Sequence, residues 1–185
     1  MQLKPLDSPE LIRLVAGWLA EKENYQWLDF GDGRQLVSPE WLKIAMQRGT
    51  MVLRVFTSDR DDTPIGVVAL TNVNQHFKTA LYWVVLGDRG YAGQGYASRA
   101  TAAMLTLGFR ELGLRAIHTW IVDGNPSIAV ARRVKFRPFG TQRACHYIDG
   151  RAYDRLWFDL LASEHDAAEH EKNEEKLDVR RQPTA

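Results

Sequence analysis

The chain has 185 residues, 45% of them hydrophobic, a length and composition suited to one domain with one sizeable core. Its 24 Lys and Arg residues against 23 Asp and Glu residues leave a formal net charge of +1, which argues against nucleic acid or an anionic membrane as partner of the whole chain. The single cysteine, Cys145, excludes an internal disulfide, and no group of Cys and His residues has the spacing of a zinc site.

The N-terminus has no positively charged segment followed by an apolar run, so no secretory signal is predicted. The apolar stretches are all much shorter than the roughly 20 residues that a membrane helix needs. Together with the lone cysteine, these features predict a soluble cytoplasmic protein with no membrane partner and no metal.

Two Ser-Pro-Glu triplets, beginning at Ser8 and Ser38, predict helix starts. A serine side chain accepts hydrogen bonds from the free amides of a first turn, and proline fits the first helical position because it loses no N–H there. The first helix is expected to continue to about Leu19, and the second to run from Trp41 down to Gly49.

The apolar period then changes to that of strands. β-branched and aromatic residues are concentrated in residues 51–56, 65–71 and 79–86, and the polar turns between them predict an antiparallel meander of three strands. A helix is predicted over residues 97–112, followed by a strand over residues 116–122. Strands on either side of such a helix are expected to be parallel, with a right-handed crossover.

The last predicted elements are a short helix over residues 126–134 and a hairpin of strands 136–148 and 151–161. Asp149 and Gly150 suit the tight turn between these strands because glycine accepts a positive φ. From residue 163 onward the chain is mostly charged, so a domain of residues 1–162 is expected to precede a solvated helix or disordered tail of residues 163–185.

The segment that favours a ligand is the glycine-rich stretch of residues 90–98, which follows a strand and opens a helix. Small residues let consecutive main-chain N–H groups approach a diphosphate, and the helix N-terminus adds positive potential. The expected ligand-contacting residues are Gly93, Gln94, Gly95, Tyr96, Ala97 and Ser98. The alternative is a glycine-rich connection without a ligand.

Two other diphosphate loops do not fit this stretch. The dinucleotide fingerprint requires a third glycine and a later acidic residue, and the adenosine-triphosphate loop requires Gly-Lys-Ser/Thr. A dinucleotide fold also places parallel strands before the loop, where this chain has an antiparallel meander.

The order of elements and the loop resemble the GNAT superfamily of N-acetyltransferases over residues 1–162. In that family the loop has the pattern Gln/Arg-x-x-Gly-x-Gly/Ala, which residues 92–97 match except at Ala92. The residues 125–128, Asn-Pro-Ser-Ile, followed by Phe136, resemble a second family segment, although Lys135 stands where glycine is common. The closing hairpin resembles that of the branch containing the ribosomal-protein-alanine N-acetyltransferases.

The resemblance implies an α/β (α+β) fold with a mixed, mostly antiparallel sheet of six to seven strands and about four flanking helices. It implies acetyl-coenzyme A as cosubstrate and an amine as acceptor. A monomer or homodimer is expected. Two splayed strands, strands four and five of the GNAT fold, would admit the pantetheine arm between residues 81–86 and 117–122. The arm would contact Leu86, Asn125 and Ser127, although Asn125 has the alternative role of a helix cap.

The resemblance also implies the catalytic groups. The main-chain amide of Val84 or Val85 would stabilise the oxyanion. The glutamate base and tyrosine acid of many relatives are missing, since residues 77–80 contain no acid and Ala131 stands where the tyrosine would be. The candidates to replace them are His118 and Tyr82, followed by Asp88 and His146.

The acceptor is expected opposite the cosubstrate, beside the segment that joins the first two helices. That segment contains Trp27, Asp29, Phe30 and Asp32, whose two carboxylates would attract a cationic amine unless this is an ordinary solvated loop. Two other functions stay open: a non-catalytic acyl-coenzyme A sensor, and an acyltransferase for longer chains, against which the bulk of Tyr82, Trp83 and Trp120 argues. Covalent catalysis by Cys145 is disfavoured, because its neighbour His146 points to the opposite face of the strand.

Overall fold

The computed structural model describes residues 1–30 and 37–166. Its strands are β1 (Leu3–Pro5), β2 (Met51–Thr57), β3 (Pro64–Asn74), β4 (Thr79–Leu86), β5 (Ala116–Val122), β6 (Arg137–Ile148) and β7 (Arg151–Leu161). Its helices are α1 (Pro9–Ala20), α2 (Lys22–Tyr25), α3 (Pro39–Gln47), α4 (Tyr96–Thr106) and α5 (Ser127–Arg133), with a π-helical turn, Leu107–Glu111, after α4.

The seven strands form one sheet in the order β1-β2-β3-β4-β5-β7-β6. All neighbours are antiparallel except β4 and β5, which are parallel and joined through α4. The predicted fold class is therefore confirmed, including the meander and the parallel pair.

The serine caps predicted at both helix starts are present. Ser8 Oγ accepts from Leu11 N at 3.2 Å, and Ser38 Oγ accepts from Trp41 N at 3.1 Å. Each cap is followed by a proline in the first turn, so local sequence alone determines where α1 and α3 begin.

The predicted hairpin turn is also confirmed. Asp149 and Gly150 have φ angles of 49° and 79°, the left-handed region that a two-residue turn of this type requires. In contrast, β1 and α2 were not predicted, because β1 has three residues that depend on pairing with β2 and α2 has only four.

The sheet has a hydrophobic core on each face. On one face, Met104 and Leu105 of α4 pack with the strand residues Ile117, Phe158 and Leu160. On the other face, Val15 and Leu19 of α1 and Leu42 of α3 pack with the strand residues Val55 and Val67. The sheet is therefore covered by helices on both faces.

The charged segment after β7 begins with helical residues 162–166, and residues 167–185 lie outside the described part. His165 is buried against Phe109, with ring centroids 5.3 Å apart, and shares a hydrogen bond of 2.8 Å with Thr106. In the described ranges, no helix combines the length and hydropathy that a membrane crossing requires.

Two hydrogen bonds and a close side-chain contact fix the chain just after β4. Gly87 N and Asp88 N both donate to Ile65 O at 2.9 Å. The indole of Trp18, from α1, lies so close to Gly87 that a Cβ there would be 2.0 Å from Cδ2. A side chain at this position would displace the indole, so the packing favours glycine.

A paired substitution tests this contact. Gly87→Ala should lower the free energy of unfolding by about 1–3 kcal/mol, because the added methyl group displaces the buried indole of Trp18. Gly17→Ala, one residue before Trp18 in the exposed face of α1 and with open space around it, should raise it by about 0.5–1 kcal/mol. Urea unfolding measures both, and a stabilising Gly87→Ala would contradict the packing described.

Candidate active site

The loop after β4 is built around two glycines in the left-handed region. Gly93 and Gly95 have φ angles of 74° and 81°, and no atom lies within 4 Å of the position that a Cβ would occupy at either one. Asp88 Oδ1 accepts from Gly90 N at 2.9 Å and so closes the turn that precedes them. The two glycines therefore shape a loop whose outer side is open.

The main-chain donors of this loop are available. The first turn of α4 has no helical acceptors for its N–H groups. Among the described residues, no main-chain hydrogen bond uses the N–H groups of residues 93–98. Unpaired N–H groups at a helix N-terminus form a site suited to an anion such as a diphosphate.

The side chains of this loop point to other partners. Gln94 Nε2 donates to Gly90 O at 3.1 Å, and the buried Tyr96 hydroxyl accepts from Asp59 N at 3.1 Å. Arg99 lies over the Tyr96 ring and pairs with Asp59 at 2.7 Å, and this guanidinium holds the pKa of the Asp59 carboxyl far below its usual range. The main chain of the loop is thus left for a ligand.

The strands β4 and β5 separate after three paired positions. Their partners are Thr79 with Ala116, Ala80 with Ile117, and Leu81 with His118, and no pairing follows. Val84 and Val85 remain paired with β3 on the other edge. Because N–H groups alternate between the two edges of a strand, one of these two valines directs its N–H into the gap.

Tyr82 ties β4 to α4. Its hydroxyl lies 2.6 Å from Thr101 Oγ1, which donates to Ala97 O at 2.6 Å, so the tyrosine is the donor in the first bond. Full burial raises the pKa of the Tyr82 phenol. The group therefore stays protonated at neutral pH, and its catalytic role remains a prediction.

His118 lies at the last paired position before the gap. It is half-buried and stacked on Trp157 in β7, with ring centroids 6.1 Å apart. Burial lowers the pKa of the His118 imidazole, while the carboxylate of Asp159, its partner across β5 and β7, raises it by less. The net result is a neutral imidazole at pH 7, which can accept a proton.

Asn125 and Ser127 bond to each other at the start of α5. Asn125 Oδ1 accepts from Ser127 N at 2.8 Å and from Ser127 Oγ at 2.7 Å. The alternative role of Asn125 as a helix cap thus has direct support, and contact of both residues with a cosubstrate remains a prediction.

A pocket of about 490 Å³ lies between α2 and the β6–β7 hairpin. Its lining includes Lys22, Tyr25, Asp29, Cys145, His146 and Arg155. Arg155 Nη1 donates to Asp29 Oδ2 at 2.9 Å, and its guanidinium lies 3.8 Å over the Trp120 ring. Arg155 was missed from the sequence because its partner Asp29 is 126 residues away.

Phe30, one of the residues expected to form the acceptor wall, packs on the face of the sheet that α1 and α3 cover. Phe30 contacts Trp83 and Trp41, with ring centroids 5.3 and 5.8 Å apart. Trp27 is partly buried, and Asp32 lies outside the described residues. Cys145 donates to Gln142 O at 3.2 Å, while both ring nitrogens of His146 are engaged by Gln26 and Arg155.

Three solved structures have a similar fold. The spermidine N-acetyltransferase from Vibrio cholerae in complex with CoA and spermine is 18% identical, with a TM-score of 0.77 over 89% of this chain and 96% of that one. Its dodecameric form in an intermediate state is 18% identical, with a TM-score of 0.74 over 89% and 95%. The ribosomal-protein-S5-alanine acetyltransferase from Vibrio fischeri is 18% identical, with a TM-score of 0.71 over 87% and 92%.

Comparison of the sequence with known proteins identifies a family. No curated protein matches the chain. The model of the acetyltransferase (GNAT) domain matches residues 1–137, and the similarity to solved structures supports the same fold. The chain therefore belongs to the GNAT acetyltransferase family.

Proposed function

We propose that the protein transfers the acetyl group of acetyl-coenzyme A directly to a primary amine of a small molecule or of a protein N-terminus. The observation that carries this proposal is the row of unpaired N–H groups in residues 93–98, which follows β4, the strand that separates from β5 after Leu81. A gap between two strands would admit a long, narrow pantetheine arm, and a row of unpaired N–H groups at a helix N-terminus would suit its diphosphate.

The cosubstrate is proposed to bind through the main chain. The N–H groups of Gly93, Gln94, Gly95, Tyr96 and Ala97, with those of Ser98, would hold the diphosphate. Leu86, at the end of β4, would contact the pantetheine arm, together with Asn125 and Ser127 in the turn before α5.

Direct transfer requires little covalent chemistry from the protein, because the thioester is already activated. The neutral amine attacks the carbonyl carbon, the N–C bond forms, and the N–H of Val84 or Val85 stabilises the oxyanion. His118 accepts the amine proton. The C–S bond then breaks, and the thiolate leaves and takes a proton from solvent.

Two other functions are weighed against this one. A non-catalytic sensor of acyl-coenzyme A would need the same loop but no base, whereas His118 is held neutral beside the gap. An acyltransferase for longer chains would need room at the acyl end, where Tyr82 and Trp83 are buried side chains. Acetyl transfer is favoured for both reasons, and a cytoplasmic location is proposed because acetyl-coenzyme A is the cosubstrate.

The diphosphate site is tested by Gly95→Glu with Gly113→Glu as its matched control. Both glycines have positive φ angles, of 81° and 64°, and open space around them, so the backbone strain of about 1–2 kcal/mol should be similar. Only Gly95→Glu places a carboxylate at the proposed diphosphate site. Calorimetry should show coenzyme A binding lost in Gly95→Glu and retained in Gly113→Glu.

Equal affinity for coenzyme A in the two variants, with both folded by circular dichroism, would rule out the loop as the diphosphate site. It would leave the family membership intact.

The role of His118 is tested by His118→Gln. Loss of the proton acceptor should lower kcat by about 100-fold or more at neutral pH with little change in coenzyme A affinity. In the unmodified protein, kcat/KM should fall as the pH drops through the His118 pKa, which burial lowers from 6.5, because protonation removes the base. Thiol release at a series of pH values measures both effects.

Two further variants sharpen this test. Asp159→Asn removes the carboxylate that raises the His118 pKa, so the acidic limb of the profile should move to still lower pH. His76→Gln, at an exposed turn, should leave the profile unchanged. A His118→Gln variant that retains full kcat would eliminate His118 as the base.

A further inference from the structure

The charges of the pocket between α2 and the β6–β7 hairpin are already balanced. Its described lining holds two cations, Lys22 and Arg155, and two carboxylates, Asp29 and Asp149. Lys22 Nζ lies 2.6 Å from Asp149 Oδ1, and Arg155 Nη1 lies 2.9 Å from Asp29 Oδ2. A cationic acceptor would therefore have to compete with Lys22 and Arg155 for each carboxylate.

Arg155 nevertheless retains unused donors. A guanidinium has five N–H bonds. Nε and Nη2 each lie within hydrogen-bond distance of His146 Nδ1, at 3.2 and 3.0 Å, and one N–H of Nη1 donates to Asp29. One N–H on each Nη atom thus has no partner among the described residues, and the side chain is 14% exposed, at the pocket.

The guanidinium is also fixed in position. It lies over the Trp120 ring, and its acceptor His146 is held by a bond of 2.7 Å between Nε2 and Gln26 O. Because a carbonyl oxygen only accepts, His146 Nε2 carries the hydrogen, and Nδ1 is left to accept from Arg155. A fixed guanidinium with unused N–H bonds is well suited to bind a carboxylate.

The pocket and the proposed base share one side of the sheet. Trp120 and His118 are two residues apart in β5, so their side chains lie on the same face. Trp120 lies under the Arg155 guanidinium and on the same face of β5 as His118. An acceptor held at Arg155 would have to extend along this face to bring its amine to His118.

We propose that the pocket selects a primary amine that also carries a carboxylate, and that Arg155 binds this carboxylate. This inference rests on the proposed acetyl transfer and names the class of acceptor. Polyamines are disfavoured, because they bring only positive charge to a pocket whose carboxylates are paired. A carboxylate instead meets two N–H groups of Arg155 that have no partner within residues 1–30 and 37–166.

The test compares amines that differ only in the carboxylate. The pairs are alanine and ethylamine, γ-aminobutyrate and propylamine, and lysine and cadaverine, with spermidine as a polycation, and release of the coenzyme A thiol is measured. In at least one pair, kcat/KM should be about tenfold or more higher for the carboxylate member than for its partner and for spermidine, as expected for hydrogen bonds to a charged group.

Variants of the ion pair should move this preference in opposite directions. Arg155→Met should reduce the ratio within the pair to about one, and Arg155→Lys, which keeps the charge but not the planar fork, should reduce it partly. Asp29→Asn removes the competing carboxylate and should lower KM for the carboxylate member. Arg13→Met, an exposed arginine of α1 paired with Glu10 and absent from the pocket lining, is the matched control.

A binding measurement separates this inference from the proposed function. Calorimetry in the presence of coenzyme A compares hexanoate with hexylamine and needs no turnover. Tighter binding of hexanoate that is lost in Arg155→Met, without acetylation of any amine, would support the carboxylate site and refute the transferase function.

The opposite results overturn the carboxylate site and leave the transferase function standing. The first is acetylation of spermidine, or of the amines without a carboxylate, at least as fast as acetylation of the carboxylate members. The second is a preference for the carboxylate member that is unchanged in folded Arg155→Met. The third is binding of hexanoate that is no tighter than binding of hexylamine.

Discussion

The site depends on the unequal pairing of β4 along its two edges. Its edge towards β3 is paired almost throughout, whereas its edge towards β5 is paired only from Thr79 to Leu81. Main-chain N–H and C=O groups left without partners away from water cost about 1–3 kcal/mol each, so a gap in a sheet persists only where solvent or a ligand satisfies them. On its other edge, β5 pairs with β7 at every position from Ala116 to Val122. This pairing keeps β5 from closing the gap.

Contacts with neighbouring elements hold the start of α4 in place. Tyr82 joins β4 to the first turn of α4 through Thr101, and the ion pair of Arg99 with Asp59 joins that turn to the β2–β3 connection. Because Arg99 lowers the pKa of the Asp59 carboxyl, this pair stays charged even well below neutral pH. Because the donors of residues 93–98 are already positioned, less conformational entropy is lost when they bind an anion.

The parts of the fold that follow from short-range rules were predicted, and those that follow from distant contacts were not. Neighbouring residues alone determine the conformations of the Ser-Pro-Glu triplets, of the Asp149-Gly150 turn and of the glycines that shape the loop. The contact of Trp18 with Gly87 and the pair of Arg155 with Asp29 join residues far apart in sequence, so neither leaves a local pattern. Lys135 stands at a position where glycine is common in the family. Its φ of 71° lies in the left-handed region that favours glycine.

The strand β5 shows how the core fixes the site. Ile117 and Ile121 point into the core on the α4 side of the sheet. His118 and Trp120 occupy the alternate positions of the strand, so their side chains lie on the opposite face, which is the face of the pocket. A shift of β5 by one residue against β7 would exchange these faces and place an imidazole in the core. The packing of Ile117 beside Leu160 therefore determines which face His118 occupies, so that residues with no chemistry of their own set the position of the proposed base.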